Sequence, residues 1–200
     1  MRARQWTAAG LAIAWVVLSM GAGAQQPAGD APRYVDGTAL VLPEDYRAWP
    51  FIGAGLGMSY ADGEGTPEDA DAPLFTHAFV NPSSYAAFME SGAWPDGTTF
   101  ILEFRRSASE ASINVAGRFA TELAFLEAEV KDSRFPDGWA YFNFGPGDDL
   151  LAATPPLGAE AAAPCVECHT DHGAVERTFV QFYPTLLDVA REKGTLKPEF

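Results

Sequence analysis

Arg118-Phe119-Ala120-Thr121-Glu122-Leu123-Ala124-Phe125-Leu126-Glu127-Ala128-Glu129-Val130-Lys131-Asp132 admits two readings, and the fold turns on them. Ala, Leu and Glu dominate the stretch, and all three favour helix. Yet Glu127, Glu129 and Lys131 alternate with Leu126, Ala128 and Val130, the period of a half-buried strand.

The neighbouring stretches read more clearly. Pro136-Asp137-Gly138 is a turn, and Trp139 to Phe144 after it is aromatic and strand-like. Upstream, Pro95-Asp96-Gly97 is a turn leading into a β-branched and aromatic strand from Thr98 to Phe104. Leu74 to Val80 reads as another strand. Asn81-Pro82 then opens a helix with asparagine as N-cap and proline as first residue; Tyr85, Phe88 and Met89 share one face and Gly92 closes it. Pro43 to Trp49 predicts a short helix stopped by Pro50, and Gly53 to Pro73 a long surface loop. Gly145 to Pro164 carries few structural signals, and Val175 to Lys193 reads as helical, interrupted at Pro184 and ended by Gly194. The fold class is α+β, an antiparallel sheet packed with a few short helices.

The only two cysteines fall in one pentapeptide, Cys165-Val166-Glu167-Cys168-His169. C-x-x-C-H is the attachment signature of a c-type haem. Each thiol can add to a vinyl group on the porphyrin, and the following imidazole then ligates the iron. Other readings of the pair are a thioredoxin-like redox couple, a disulfide, or half of a zinc site. A bridge across two residues would close too small a loop to stabilise much. Zinc would want four N/S ligands, and only His77 and His172 remain to supply them. The motif therefore predicts one covalent haem c, with Cys165 and Cys168 attaching it and His169 on the iron. It sits near the C-terminus, with 31 residues after His169 and no methionine among them, unlike the common all-helical electron carriers.

The other end agrees. Arg2 and Arg4, the apolar run Thr7 to Met20 and the small residues Ala22-Gly23-Ala24 form a secretory signal peptide, residues 1–24. Residues 25–33 read as a flexible leader and 34–200 as one domain. The apolar run is marginal for a membrane span, so the mature chain is expected to be soluble and periplasmic, where haem is attached in bacteria. Losing Arg2 and Arg4 takes the formal charge from −14 to −16. That balance argues against nucleic acid and anionic membranes, and suits a basic redox partner or a small neutral or cationic substrate.

The chain resembles the cytochrome P-460 family, including its cytochrome c′-beta relatives. The resemblance rests on Asp45-Tyr46-Arg47-Ala48-Trp49, Val80-Asn81-Pro82 with Tyr85, Trp94-Pro95-Asp96-Gly97-Thr98 and Val130-Lys131-Asp132. It continues through Trp139-Ala140-Tyr141-Phe142, the haem pentapeptide and Phe179-Val180-Gln181-Phe182-Tyr183-Pro184. It implies an antiparallel sheet with helices, a homodimer, and a five-coordinate haem open on one side. It also implies that Arg118 to Asp132 is a strand, context overriding propensity.

In that family the true cytochromes P-460 carry a lysine bonded to the porphyrin and oxidise hydroxylamine. The c′-beta relatives lack it, line the distal side with phenylalanines and bind gases such as nitric oxide. Here the matching strand, Thr99 to Phe104, holds no lysine; the expected position falls at Leu102. The resemblance marks Glu127 as a candidate distal proton-relay acid, but its alternation with Glu129 favours a solvent-facing strand residue. Phe75, Phe79, Phe100 and Phe104 are core residues of which one or two wall the pocket. His77 is expected to be structural, His172 exposed, and Met89 core; Met58 is the more open candidate for a sixth ligand. Three functions follow: binding of nitric oxide or related nitrogen-oxide ligands, hydroxylamine oxidation, and simple electron transfer.

Overall fold

A computed structural model describes residues 29–58 and 72–200. The signal peptide and most of the predicted long loop lie outside the described residues.

Phe119–Lys131 is a strand, β6, the longest of the sheet. Its helix-favouring composition yields to two flanking partners. Those are β5 (Thr99–Ala108) and β7 (Trp139–Pro146), which with β3 (Phe51–Leu56) and β4 (Phe75–Val80) give the antiparallel order β3-β4-β5-β6-β7. A small second sheet joins β1 (Tyr34–Val35), β2 (Ala39–Val41) and β8 (Ala153–Thr154). Three helices follow the chain: α1 (Pro82–Ser91), α2 (Ala159–His172) and α3 (Pro184–Lys193). The expected α+β class holds.

Register assigns each side chain to a face. Phe79, Ile101, Ala128 and Phe142 form one row across four strands and join the core beneath the small sheet, with Leu40, Tyr46 and Trp49. The opposite face carries two rows: Ala78, Leu102, Glu127 and Asn143, then Val80, Phe100, Glu129 and Tyr141. This second face is covered by α1, α3 and the chain between α2 and α3, through Phe88, Trp94, Val180 and Leu186. Phe88 stacks on Trp94 at 4.0 Å, and its full burial contributes about 2 kcal/mol.

Four local expectations are corrected. Part of the predicted loop is the edge strand β3. A Cβ on Gly53 would run into the Tyr183 ring, so close packing, not a turn, requires glycine there. The segment 43–49 forms only a 3-10 turn, Tyr46–Ala48. Asn81 precedes α1 as expected, but its side chain does not cap the helix. Its Oδ1 accepts from the Thr99 amide at 2.9 Å, while Asp30 Oδ2 accepts from Ser83 N at 2.6 Å. Finally, Pro184 begins α3 instead of interrupting a longer helix. Proline disfavours helical backbone in the residue before it, and Tyr183 is extended there (φ −124°, ψ 93°). In the stretch with few signals, Ala159 starts α2, which continues through Pro164. Among the described residues no helix is long and apolar enough to cross a membrane.

Candidate functional site

Helix α2 presents Cys165 and Cys168 as free thiols, three positions apart on one helix. Burial raises both thiols above their ordinary range, helped by Glu127 at Cys165 and by Asp171 at Cys168. A reactive redox pair depends on lowered thiol pKa values. These two have the opposite bias.

His169 is clamped. Its ring meets Tyr141 edge-on at 4.9 Å and Phe179 at 4.5 Å. Nδ1 lies 2.8 Å from the Arg177 carbonyl and 3.1 Å from Glu129 Oε1. Fixing Nδ1 this way leaves Nε2 as the nitrogen for an iron, the usual arrangement at ligating histidines. Gly173 makes the clamp possible. A Cβ there would sit 2.7 Å from both the His169 oxygen and the Arg177 carbonyl carbon, so only glycine lets the chain double back. Neither Gly173 nor Arg177 stood out in the sequence. Their role comes from this contact alone.

Beside His169 lies a cavity of about 150 Å³ between the sheet and the segment Phe179 to Leu186. Its sheet wall is Phe100, Leu102 and Phe104 from β5 with Glu127 and Glu129 from β6. A second hollow of about 370 Å³ holds Cys168, His172 and Phe182, and shares Phe179 with the first. Glu127 faces the cavity, not solvent. Burial raises its carboxyl above the ordinary value, partly opposed by His169. Phe100 and Phe104 line the cavity, whereas Phe79 belongs to the core on the other face. Phe75 shares that other face with His77, at i and i+2 on β4.

His77 is therefore remote from the cavity. Its register partner is Glu103, with Nδ1 3.9 Å from Oε2. Glu103 is 2% exposed and accepts from Tyr46 Oη at 2.6 Å, Arg47 Nε at 2.7 Å and Arg105 Nε at 2.5 Å. This network anchors β5 from behind. Met89 packs in the core and Met58 sits 38% exposed beside Gly55; neither lines the cavity. His172 is exposed, as expected. Among the described residues no three His, Cys, Asp or Glu side chains converge to hold a metal ion directly.

Residues 43–180 match the family model described as Cytochrome P460. The chain belongs to the cytochrome P460 family. No curated protein matches it. The match spans β3 to β7, α2, Cys165, Cys168, His169, Glu127 and Glu129, so this is a haem protein of the cytochrome P460 type. The local chemistry suits a haem in a P460 protein. Three buried polar atoms without hydrogen-bond partners, Glu129 Oε1, Tyr141 Oη and Arg177 Nη1, belong to residues clustered about His169. Buried polar atoms normally have partners. Cys165, Cys168 and His169 could hold the macrocycle, with Arg177 beside it as a cation.

All three lysines of the chain lie away from the cavity wall. Lys131 Nζ donates to the Trp94 carbonyl at 2.7 Å and to Glu176 at 2.6 Å. Lys193 pairs with Glu192, and Lys197 bonds the Thr170 carbonyl.

Proposed function

We propose that the protein is an exported, periplasmic monohaem c-type cytochrome that binds nitric oxide and related small nitrogen-oxide ligands. Cys165 and Cys168 would hold the haem through thioethers and His169 Nε2 would ligate its iron. The haem would supply a redox-active, ligand-binding iron. The observation carrying this reading is the cavity wall: Leu102 stands where the cross-linking lysine would be expected, between Phe100 and Phe104. The β5 part of the wall excludes water and offers an incoming diatomic no donor, which on that side disfavours oxygen relative to nitric oxide. The surplus of acidic residues suits a basic protein as the source or sink of electrons.

Absorption spectra of the ferrous protein with and without nitric oxide or carbon monoxide test this directly. High-spin, five-coordinate iron that shifts on ligand addition is expected. Unchanged spectra would remove the reading.

Glu127 favours a second reading, hydroxylamine oxidation. Its half-buried carboxyl, raised in pKa and facing the cavity, could accept a substrate proton. Hydroxylamine turnover with an artificial acceptor, compared with free haem, separates the two. Simple electron transfer with Met58 as sixth ligand has little support, because Met58 lies outside the cavity lining.

A further inference from the structure

Glu129 lies on the cavity face of β6, in one row with Phe100 and Tyr141, and is 7% exposed. Its Oε1 comes within 3.1 Å of His169 Nδ1 yet has no hydrogen-bond partner, because Nδ1 is directed at the Arg177 carbonyl 2.8 Å away. Tyr141 Oη and Arg177 Nη1 are buried beside it without a well-formed hydrogen bond of their own. A carboxylate oxygen left unpaired inside a protein is costly; the donors within reach of Glu129 are the Tyr141 hydroxyl and His169 Nδ1, and only the latter belongs to the histidine of the C-x-x-C-H motif.

We propose that Glu129 is a positioning residue for the axial histidine, taking a share of the Nδ1 proton from the Arg177 carbonyl and so strengthening the bond between Nε2 and iron. Hydrogen bonds to charged acceptors are roughly twice as strong as those to neutral ones. A carboxylate acceptor makes the imidazole more basic than a carbonyl alone does. Two consequences follow from that electron donation. The oxidised iron is favoured, and the histidine holds its place when a strong ligand binds on the other side. The inference rests on His169 carrying the iron, but not on which ligand the open side takes.

The test compares purified, haem-loaded wild type with E129Q and E129D. E129Q keeps the side-chain shape and removes the charge. Its reduced-to-oxidised ratio at fixed potential should rise about tenfold, a midpoint increase of ~59 mV for a one-electron couple. Its iron–histidine stretch in resonance Raman spectra should fall, and nitric oxide should give more five-coordinate adduct. E129D should restore part of each change, which a merely structural residue would not do. The 15N shift of His169 Nδ1 in the diamagnetic carbon monoxide adduct of ferrous wild type reads the acceptor independently of either variant folding. A potential and stretch unchanged in E129Q, or a Nδ1 shift typical of a carbonyl acceptor alone, overturns the inference while leaving the haem assignment intact. Wild type that matures without thioether-bound haem overturns both.

Discussion

Leu102 and Glu127 stand directly opposite each other across β5 and β6, and both side chains face one cavity. An apolar residue and an acid thus share the wall nearest the candidate iron site. Exchanging either changes the polarity of that wall.

Glu127 is the first test. Burial raises its carboxyl, so the folded state holds that proton more tightly than the unfolded chain does. Its ionisation therefore destabilises the fold. The penalty begins as pH rises past the unfolded value, about 4.3, and is complete above the raised folded value. E127Q should be more stable than wild type at pH 8 and gain nothing at pH 3, measured by urea melts of the haem-loaded protein. Any hydroxylamine turnover should fall 10²-fold or more in E127Q, with carbon monoxide binding retained.

Glu103 behaves in the opposite sense. Burial works to raise its carboxyl, but hydrogen bonds from Arg105 and Tyr46 and the charges of Arg105 and Arg47 outweigh it and lower the pKa. Its contribution is present above the unfolded value and is lost as pH falls through the depressed folded one. E103A leaves the buried Tyr46 hydroxyl without its acceptor and the half-buried Arg105 with only the Thr121 carbonyl, and should cost about 3 kcal/mol in urea melts. Arg47 has a side chain 56% exposed, so R47A should cost about 1 kcal/mol or less.

Gly173 links chain geometry to His169, the proposed iron ligand. G173A forces a methyl against backbone atoms of His169 and Arg177, which cannot swing aside as a side chain could. A loss of about 1–3 kcal/mol is expected. The axial histidine should also lose its fixed orientation, seen as mixed spin states in the ferric spectrum. Stability and spectrum both matching wild type would refute the clamp.

The two thiols give separable outcomes. C165A and C168A should each retain haem through one thioether, detectable by mass spectrometry of the denatured chain and by a shifted haemochrome band. The double variant should release its haem on acid–acetone extraction. Full covalent retention by the double variant would show another bond to the macrocycle.

Local chemistry alone determines part of this protein. The pentapeptide Cys165 to His169 is legible as a c-type haem signature, because thioether attachment and iron ligation, as proposed here, would need those three residues at that spacing. Turns at Pro95-Asp96-Gly97 and Pro136-Asp137-Gly138 bracket strands without help from distant contacts, since their backbone preferences are local. The helix from Pro82 to Gly92 is likewise local: proline at its first residue, glycine in the left-handed region at φ 72° after its last.

Other features exist only because distant segments meet. Phe119–Lys131 has helical propensity and became a strand because β5 and β7 pair with both its edges. Gly53 resembles a loop residue, yet the ring of Tyr183, far along the chain, demands it. Alternation placed Glu127 and Glu129 on one face of their strand, but could not say which face would be covered. That was decided by the segment from Ala174 to Leu186 folding over the sheet, turning two apparently ordinary surface acids into the lining of a buried cavity. Periodicity is a property of one strand; burial depends on what packs against it.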